Sequence, residues 1–254
     1  MTTLSVNVNK VTTLRNSRGG AEPSVIAAVE TCLAAGAPGI TVHPREDQRH
    51  IRLSDVSDIA ALLKARRSSS PGKIEFNIEG DPRPAFVDLV LSTRPDQCTL
   101  VPTTPGEITS QAGWRQGPDS DRLPDVIRRL HDRGIRVSLF VDAAPEPIRW
   151  AASLGADRVE LYTEPFARAF ECGRAEAERS FAVYAQASRD AHALGLGVNA
   201  GHDLDLHNLV LFRDLPFLDE VSIGHAIVSR AVFVGLSTVV KEYLAVLAQG
   251  QKPV

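Results

Sequence analysis

Eight short runs of β-branched and apolar residues recur along the chain. Each is followed by a longer stretch of helical periodicity, and this alternation limits the possible folds more than any other feature. The runs are LSVNVN (4–9), GITVHP (39–44), KIEFNIE (73–79), QCTLVP (97–102), RVSLFVD (136–142), RVELYT (158–163), GVNAGH (197–202) and EVSIGH (220–225). Between them SVIAAVETCLAAG places Val25, Val29 and Cys32 on one face and stops at Gly36, a suitable C-cap. LPDVIRRLHDRG repeats the pattern with Val126, Leu130 and Gly134, and SDVSDIAALLKARR opens on Ser54 and Asp55, residues that cap helices well. Eight βα units in 254 residues predict a (β/α)₈ (TIM) barrel forming a single domain over residues 1–254. The alternative, an open doubly wound sheet, lacks the glycine-rich G-x-G-x-x-G turn after its first strand.

Composition narrows the partners. Residues of the apolar class make up 43% of the chain, enough for a large core. A net charge of -3 gives no reason to expect nucleic acid or an anionic membrane as a partner. Cys32, Cys98 and Cys172 are few, odd in number and unpaired in spacing, which fits a reduced, cytoplasmic setting. No apolar run reaches membrane-spanning length, and the first residues do not read as a signal peptide.

Barrel chemistry sits where the strands end. Those ends hold Asn7 and Asn9, His43 and Arg45, Glu75, Asn77 and Glu79, Asp142, Thr163 and Glu164, His202, and Gly224 with His225. Alternation within a strand adds direction. Leu4, Val6 and Val8 oppose Ser5, Asn7 and Asn9. Ile74, Phe76 and Ile78 oppose Glu75, Asn77 and Glu79, and Val159 with Leu161 opposes Glu160 with Tyr162. Three strands thus aim amides or carboxylates into the barrel, where an unpaired carboxylate is costly and calls for a cationic partner or ligand. His225 shares parity with the apolar Val221 and Ile223, which places it just past the regular strand.

Each feature also has a structural reading. Glu75 and Glu160 would serve a buried ion-pair layer with Arg45 or Arg158. His43, His50 or His207 alone would be an ordinary core or surface histidine, and the AGH and IGH tripeptides close-packed strand ends. Cys32 and Cys98 read as small buried hydrophobes, and VIRRLHDRG as a solvated helix face. Convergence of polar residues on one barrel end favours a site.

The stretches VNVNKVTTLRNSRGG, GITVHPREDQRHI, EFNIEG, RVSLFVDA, VELYTEP, VNAGHDLDLHN and VSIGHAI, in this order from residue 6 to 227, resemble the pyridoxine 5'-phosphate synthase family of vitamin B6 biosynthesis. The resemblance implies a (β/α)₈ barrel assembled as a homo-octamer. It implies condensation of 3-amino-2-oxopropyl phosphate with 1-deoxy-D-xylulose 5-phosphate to pyridoxine 5'-phosphate, phosphate and water, with no metal or organic cofactor. The substrates form an imine with each other, so no enzyme lysine is needed. By the same resemblance His43 and His202 are acid/base histidines, Glu75 is the principal base, and Glu160 supports the transition state. Asn7, Arg18, Gly224 and His225 match the aminoketone phosphate site. Asn9, Lys10, Arg45, His50 and Thr109 match the deoxyxylulose phosphate site, and Asp203, after His202, joins the substrate-binding set. Many members carry Asp-His where this chain has Asn9-Lys10, and some carry Gly in place of Asp203.

The residue types suit that chemistry. Arginine forks and backbone N–H groups at glycine-rich strand ends bind phosphate. Histidines and glutamates on different strands supply the repeated proton transfers of ring closure, and a barrel keeps water from an imine. The long segment TTPGEITSQAGWRQGPDSD, with Gly106, Gly113 and Gly117, is expected to close over substrate and bring Thr109 to it. Three alternatives stand beside this reading: a Schiff-base aldolase using Lys10, a metal hydrolase using His43, His202 and His225, and a non-catalytic phosphate-ligand barrel.

Overall fold

The computed structural model describes residues 2–69, 74–103 and 112–250. Within them β1 (Thr3–Asn7), β2 (Gly39–Val42), β3 (Glu75–Gly80), β4 (Gln97–Leu100), β5 (Arg136–Val141), β6 (Arg158–Leu161), β7 (Gly197–Ala200) and β8 (Leu218–Ile223) form a closed barrel in sequence order. Every neighbouring pair is parallel, and closure comes from β1 on β8, with Thr3 opposite Glu220 and Val6 opposite Ile223. Helices follow the strands and cover the outside, as parallel pairing requires.

Strand alternation divides the core in two. Leu4, Val6, Ile40, Val42, Ile78, Val159, Leu161, Val221 and Ile223 are buried in the apolar layer between sheet and helices. The barrel interior is polar, where such barrels ordinarily hold Val, Ile and Leu. Ser5 meets Thr41 at 2.6 Å, Asn77 reaches Thr41 at 3.4 Å, and Thr99 donates to Asn77 at 3.1 Å. At the strand starts Arg136 pairs with Glu75 and donates to Gln97 at 2.9 Å, while Arg158 donates to Asn199 at 2.9 Å and lies 3.9 Å from Glu220. A layer of carboxylates and cations with Glu75 and Arg158, both expected from the sequence, exists here, but Arg136 stands in it instead of Arg45 and Glu220 instead of Glu160.

Local signals explain the helix boundaries. Ser24 caps the helix Val25–Ala34 by accepting the Ala27 N–H at 3.2 Å, and Gly36, at φ 102°, adopts the left-handed turn that ends it. The helix Leu53–Ser69 begins before the expected caps. Asp55 sits in its first turn and accepts the Arg52 N–H at 2.7 Å, so the cap works from inside the helix. Asp55 also receives both guanidinium nitrogens of Arg15, at 2.6 and 2.9 Å, in a buried bidentate pair. Asn9 and Lys10, read as a strand end, instead open the helix Asn9–Asn16.

Candidate active site

At the C-terminal ends of the strands lies a cavity of about 650 Å³. Asn7 enters it from the end of β1 and Asn9 from the start of the following helix, His43, Arg45 and His50 from the chain after β2, and Glu160 from β6. His202 and Asp203 follow β7, Gly224 and His225 follow β8, and Lys10 projects from the first helix. Residues separated by most of the chain thus meet in one place.

Asn7 and Asn9 build its floor. Asn7 accepts the Asn9 N–H at 3.0 Å through Oδ1, and Asn9 Oδ1 accepts the His43 N–H at 2.9 Å. Two glycines admit close approach. A Cβ on Gly201 would stand 2.3 Å from the Ser222 carbonyl oxygen, and one on Gly224 2.8 Å from that of Asn7. The helix His225–Val234 starts at Gly224, so its first N–H groups lie at the cavity edge, where an anion is favoured. Asp203 holds a left-handed φ of 59°, which the short Asp side chain tolerates better than most. Its carbonyl accepts from Asn208 Nδ2 at 2.9 Å.

His43, His50 and His202 are tuned to be neutral. Burial holds His43 well below the usual histidine range, and the nearby His50, Arg45, His202 and Arg83 push the same way. Burial also lowers His50, to about 4, with Arg45 and Lys10 adding to it. His50 Nδ1 accepts the Ile51 N–H at 3.0 Å, which assigns the proton of the neutral ring to Nε2. Burial lowers His202 against the opposing charge of Asp203, and its ring packs 5.0 Å from Phe140 and 5.7 Å from Tyr162.

The carboxylates move the other way. Burial raises Glu160 well above the carboxylate range, and Glu79 and Glu220 add repulsion. Its Oε2 has no hydrogen-bond partner among the described residues. Burial lifts Glu79 to about 7 against the hydrogen bond from Ser222.

Two residues expected at the site do not line it. Glu75 opens β3, four residues before Glu79 and about 13 Å deeper along the strand; its carboxylate is bound by Arg136 and it does not line the cavity. Equal parity hid this difference in depth. Arg18 is exposed past the end of the first helix, also outside the lining. Thr109, within residues 104–111 of the segment expected to close over substrate, lies outside the described residues. Glu79, in contrast, lines the cavity. Its inward parity was the available signal, together with its place near the end of β3. His43, His202 and His225 do not form a metal cluster: among the described residues no three His, Cys, Asp or Glu side chains gather as ligands. No described helix is long and apolar enough to cross a membrane.

Solved structures with this architecture include a mutant tryptophan synthase alpha-subunit from Pyrococcus furiosus. Its TM-score is 0.60 at 12% identity, covering 96% of this chain and 98% of that one. Phosphoribosyl anthranilate isomerase from Thermus thermophilus follows at 0.55 and 16%, with 96% and 98% covered. At such identities the likeness speaks for the fold alone. Sequence relatives reach further. Pyridoxine 5'-phosphate synthase of Bacteroides thetaiotaomicron is 50% identical over 244 residues, covering 96% of this chain and 98% of the relative. The enzyme of that name from Xanthomonas campestris pv. campestris strain B100 is 50% identical over 257 residues, covering 98% and 97%. Residues 4–249 match the family described as pyridoxal phosphate biosynthesis protein PdxJ, and the chain belongs to that family.

Proposed function

We infer that the chain condenses 3-amino-2-oxopropyl phosphate with 1-deoxy-D-xylulose 5-phosphate to give pyridoxine 5'-phosphate, phosphate and water. The observation that carries this is the near-complete match to synthases of that name, at about half identity, on a barrel whose polar residues converge in one cavity.

The site's chemistry supports the reading. Both substrates are phosphorylated. The N–H groups at Gly224 and His225 suit one phosphate. Arg45, Lys10 and the Nε2–H of His50 suit the other. The amine of one substrate attacks the ketone of the other, forming their imine. His43 and His202, both held neutral, are ready to accept protons, and Glu160, held protonated, is ready to give one. Lys10 then acts as a cation, so borohydride added with the ketose alone leaves it unmodified; a reduced adduct on Lys10 would favour the aldolase alternative. The family resemblance extends the reading to a cytoplasmic homo-octamer that takes small phosphorylated molecules as partners and needs no cofactor. Light scattering on the purified protein checks the assembly.

The test of function is direct. Purified protein given both substrates should release pyridoxine 5'-phosphate and inorganic phosphate together. Failure to form pyridoxine 5'-phosphate from folded protein would overturn the assignment.

A further inference from the structure

Two carboxylates of β3 face the barrel interior, and only one reaches the cavity. Glu75 is held by Arg136 at the strand's start. Glu79, 7% exposed, stands at the cavity wall. Its neighbours come from several strands. Ser222 of β8 donates to Oε1 at 3.3 Å, and Asn7 from β1 donates to Oε2 at 3.4 Å. His43 Nδ1, after β2, lies 3.9 Å from Oε2, too far for a hydrogen bond. Cys98 of β4 and Glu160 of β6 both feel its charge. These contacts orient the carboxylate, and none of them joins it to an arginine or lysine.

Glu160 lines the same cavity at 3% exposure, with Oε2 lacking a hydrogen-bond partner among the described residues. Two buried carboxyls facing one cavity do not both ionise readily, so the pair separates into an acid and a base. Resting on the synthase reading above, we propose that Glu79 is the proton-accepting carboxylate of this cavity and that Glu160 is its protonated counterpart.

The step balances as follows. A C–H bond of the joined substrates, next to the imine carbon, breaks. Its electron pair moves into the adjacent carbon–nitrogen system, and the proton goes to Glu79. Glu160 gives its proton to a hydroxyl oxygen, whose bond to carbon breaks as water leaves. Proton return from Glu79 to Glu160 through the cavity restores the starting state. The shift of Glu79 to about 7 fits a base that is partly ionised at neutral pH, while Glu160, raised further, keeps its proton.

The experiment first establishes pyridoxine 5'-phosphate formation by the wild type, which separates failure of the synthase reading from failure of this proposal. Then kcat and KM are measured from pH 5 to 9 for the wild type, Glu79→Gln, Glu79→Asp and Glu75→Gln, with circular dichroism confirming the fold. Glu79→Gln should lower kcat by about 10²–10⁴-fold while KM changes little, the usual scale for a lost general base. Glu79→Asp should restore part of the loss, and Glu75→Gln should cost less than Glu79→Gln. The wild type should lose kcat as pH falls through about 7, and that limb should vanish in Glu79→Gln. Glu79→Gln turnover within 10-fold of wild type with the limb intact, or a greater loss in Glu75→Gln, would overturn the proposal. If Glu79→Gln does not fold, the wild-type profile still decides: a flat kcat from pH 5 to 8 rejects the assignment.

Discussion

The side-chain oxygen of Asn9 accepts the backbone N–H of His43 at 2.9 Å, so the helix after β1 fixes the height at which β2 delivers its histidine. The acceptor matters here, and the donor end of the amide does not. Asn9→Asp keeps the acceptor and should retain most turnover. Asn9→Ala leaves the His43 N–H without it and should lower kcat by roughly 10-fold, on the scale of about 1 kcal/mol for one hydrogen bond. Steady-state kinetics and amide exchange at His43 check both. Equal activity in Asn9→Ala and wild type would remove Asn9 from any positioning role.

His50 should be neutral throughout the working pH range. Its Nδ1 accepts from Ile51, and burial with neighbouring cations lowers it to about 4. An NMR titration should give a midpoint near that value for its ring. His50→Ala should raise KM by about 10–100-fold, as expected for a lost hydrogen bond to an anionic group, and should affect kcat less. A midpoint near 6.5 would contradict the lowering by burial and neighbouring cations.

Arg15 and Asp55 form a buried bidentate pair whose side chains are only 5% and 6% exposed. Arg15 also donates to the His50 carbonyl at 3.3 Å, so the pair supports the turn carrying His50. Removing one partner leaves a buried charge, at a cost of about 3–5 kcal/mol. Asp55→Ala should therefore lower Tm by roughly 10 °C at this chain length. Arg15→Met with Asp55→Leu together should recover much of it. Calorimetry of the two proteins tests this.

Glu220 makes stability depend on pH. Burial lifts it to about 8 from its ordinary 4.5, and the Glu75 charge and a hydrogen bond with Glu75 push the same way. The folded chain then holds a proton that the unfolded chain releases. This contribution is complete below 4.5 and declines as pH rises toward 8. Glu220→Gln cannot ionise. Its denaturation midpoint should be close to wild type at pH 5 and above wild type at pH 8.5. A difference that is the same at both pH values would contradict the linkage.

Much of this molecule is legible before any coordinates are seen. The eight strands lie within a few residues of their expected places because each carries a strong period-two signal between turn residues. Periodicity also foretells polar residues inside the barrel. It reports the face of a strand but not the depth along it. Glu75 and Glu79 therefore look equivalent in sequence, and only the register, with Gly39 opposite Glu75, shows which end of the barrel each occupies. Asn9 continues the alternation of β1 and so reads as strand, although the chain has already turned into a helix. Arg158 is legible as a cationic partner for interior carboxylates, whereas Arg136, and the choice of Glu220 as the partner of Arg158, require knowledge of which strands face one another.

Closure of β1 on β8 has a consequence for the birth of the chain. The hydroxyl of Thr2 bonds the carbonyl of Leu218 across a sequence separation of 216 residues. At roughly 5–20 residues per second, translation leaves the first strand waiting about 10–40 seconds for its last neighbour to be made. Through that interval the nascent sheet carries two open edges able to pair with another chain. A ribosome that stalls before β8 holds a polypeptide with most of the described helices and an unsealed sheet, so synthesis of Leu218–Ile223 decides whether the barrel closes or its edges stay open to aggregation.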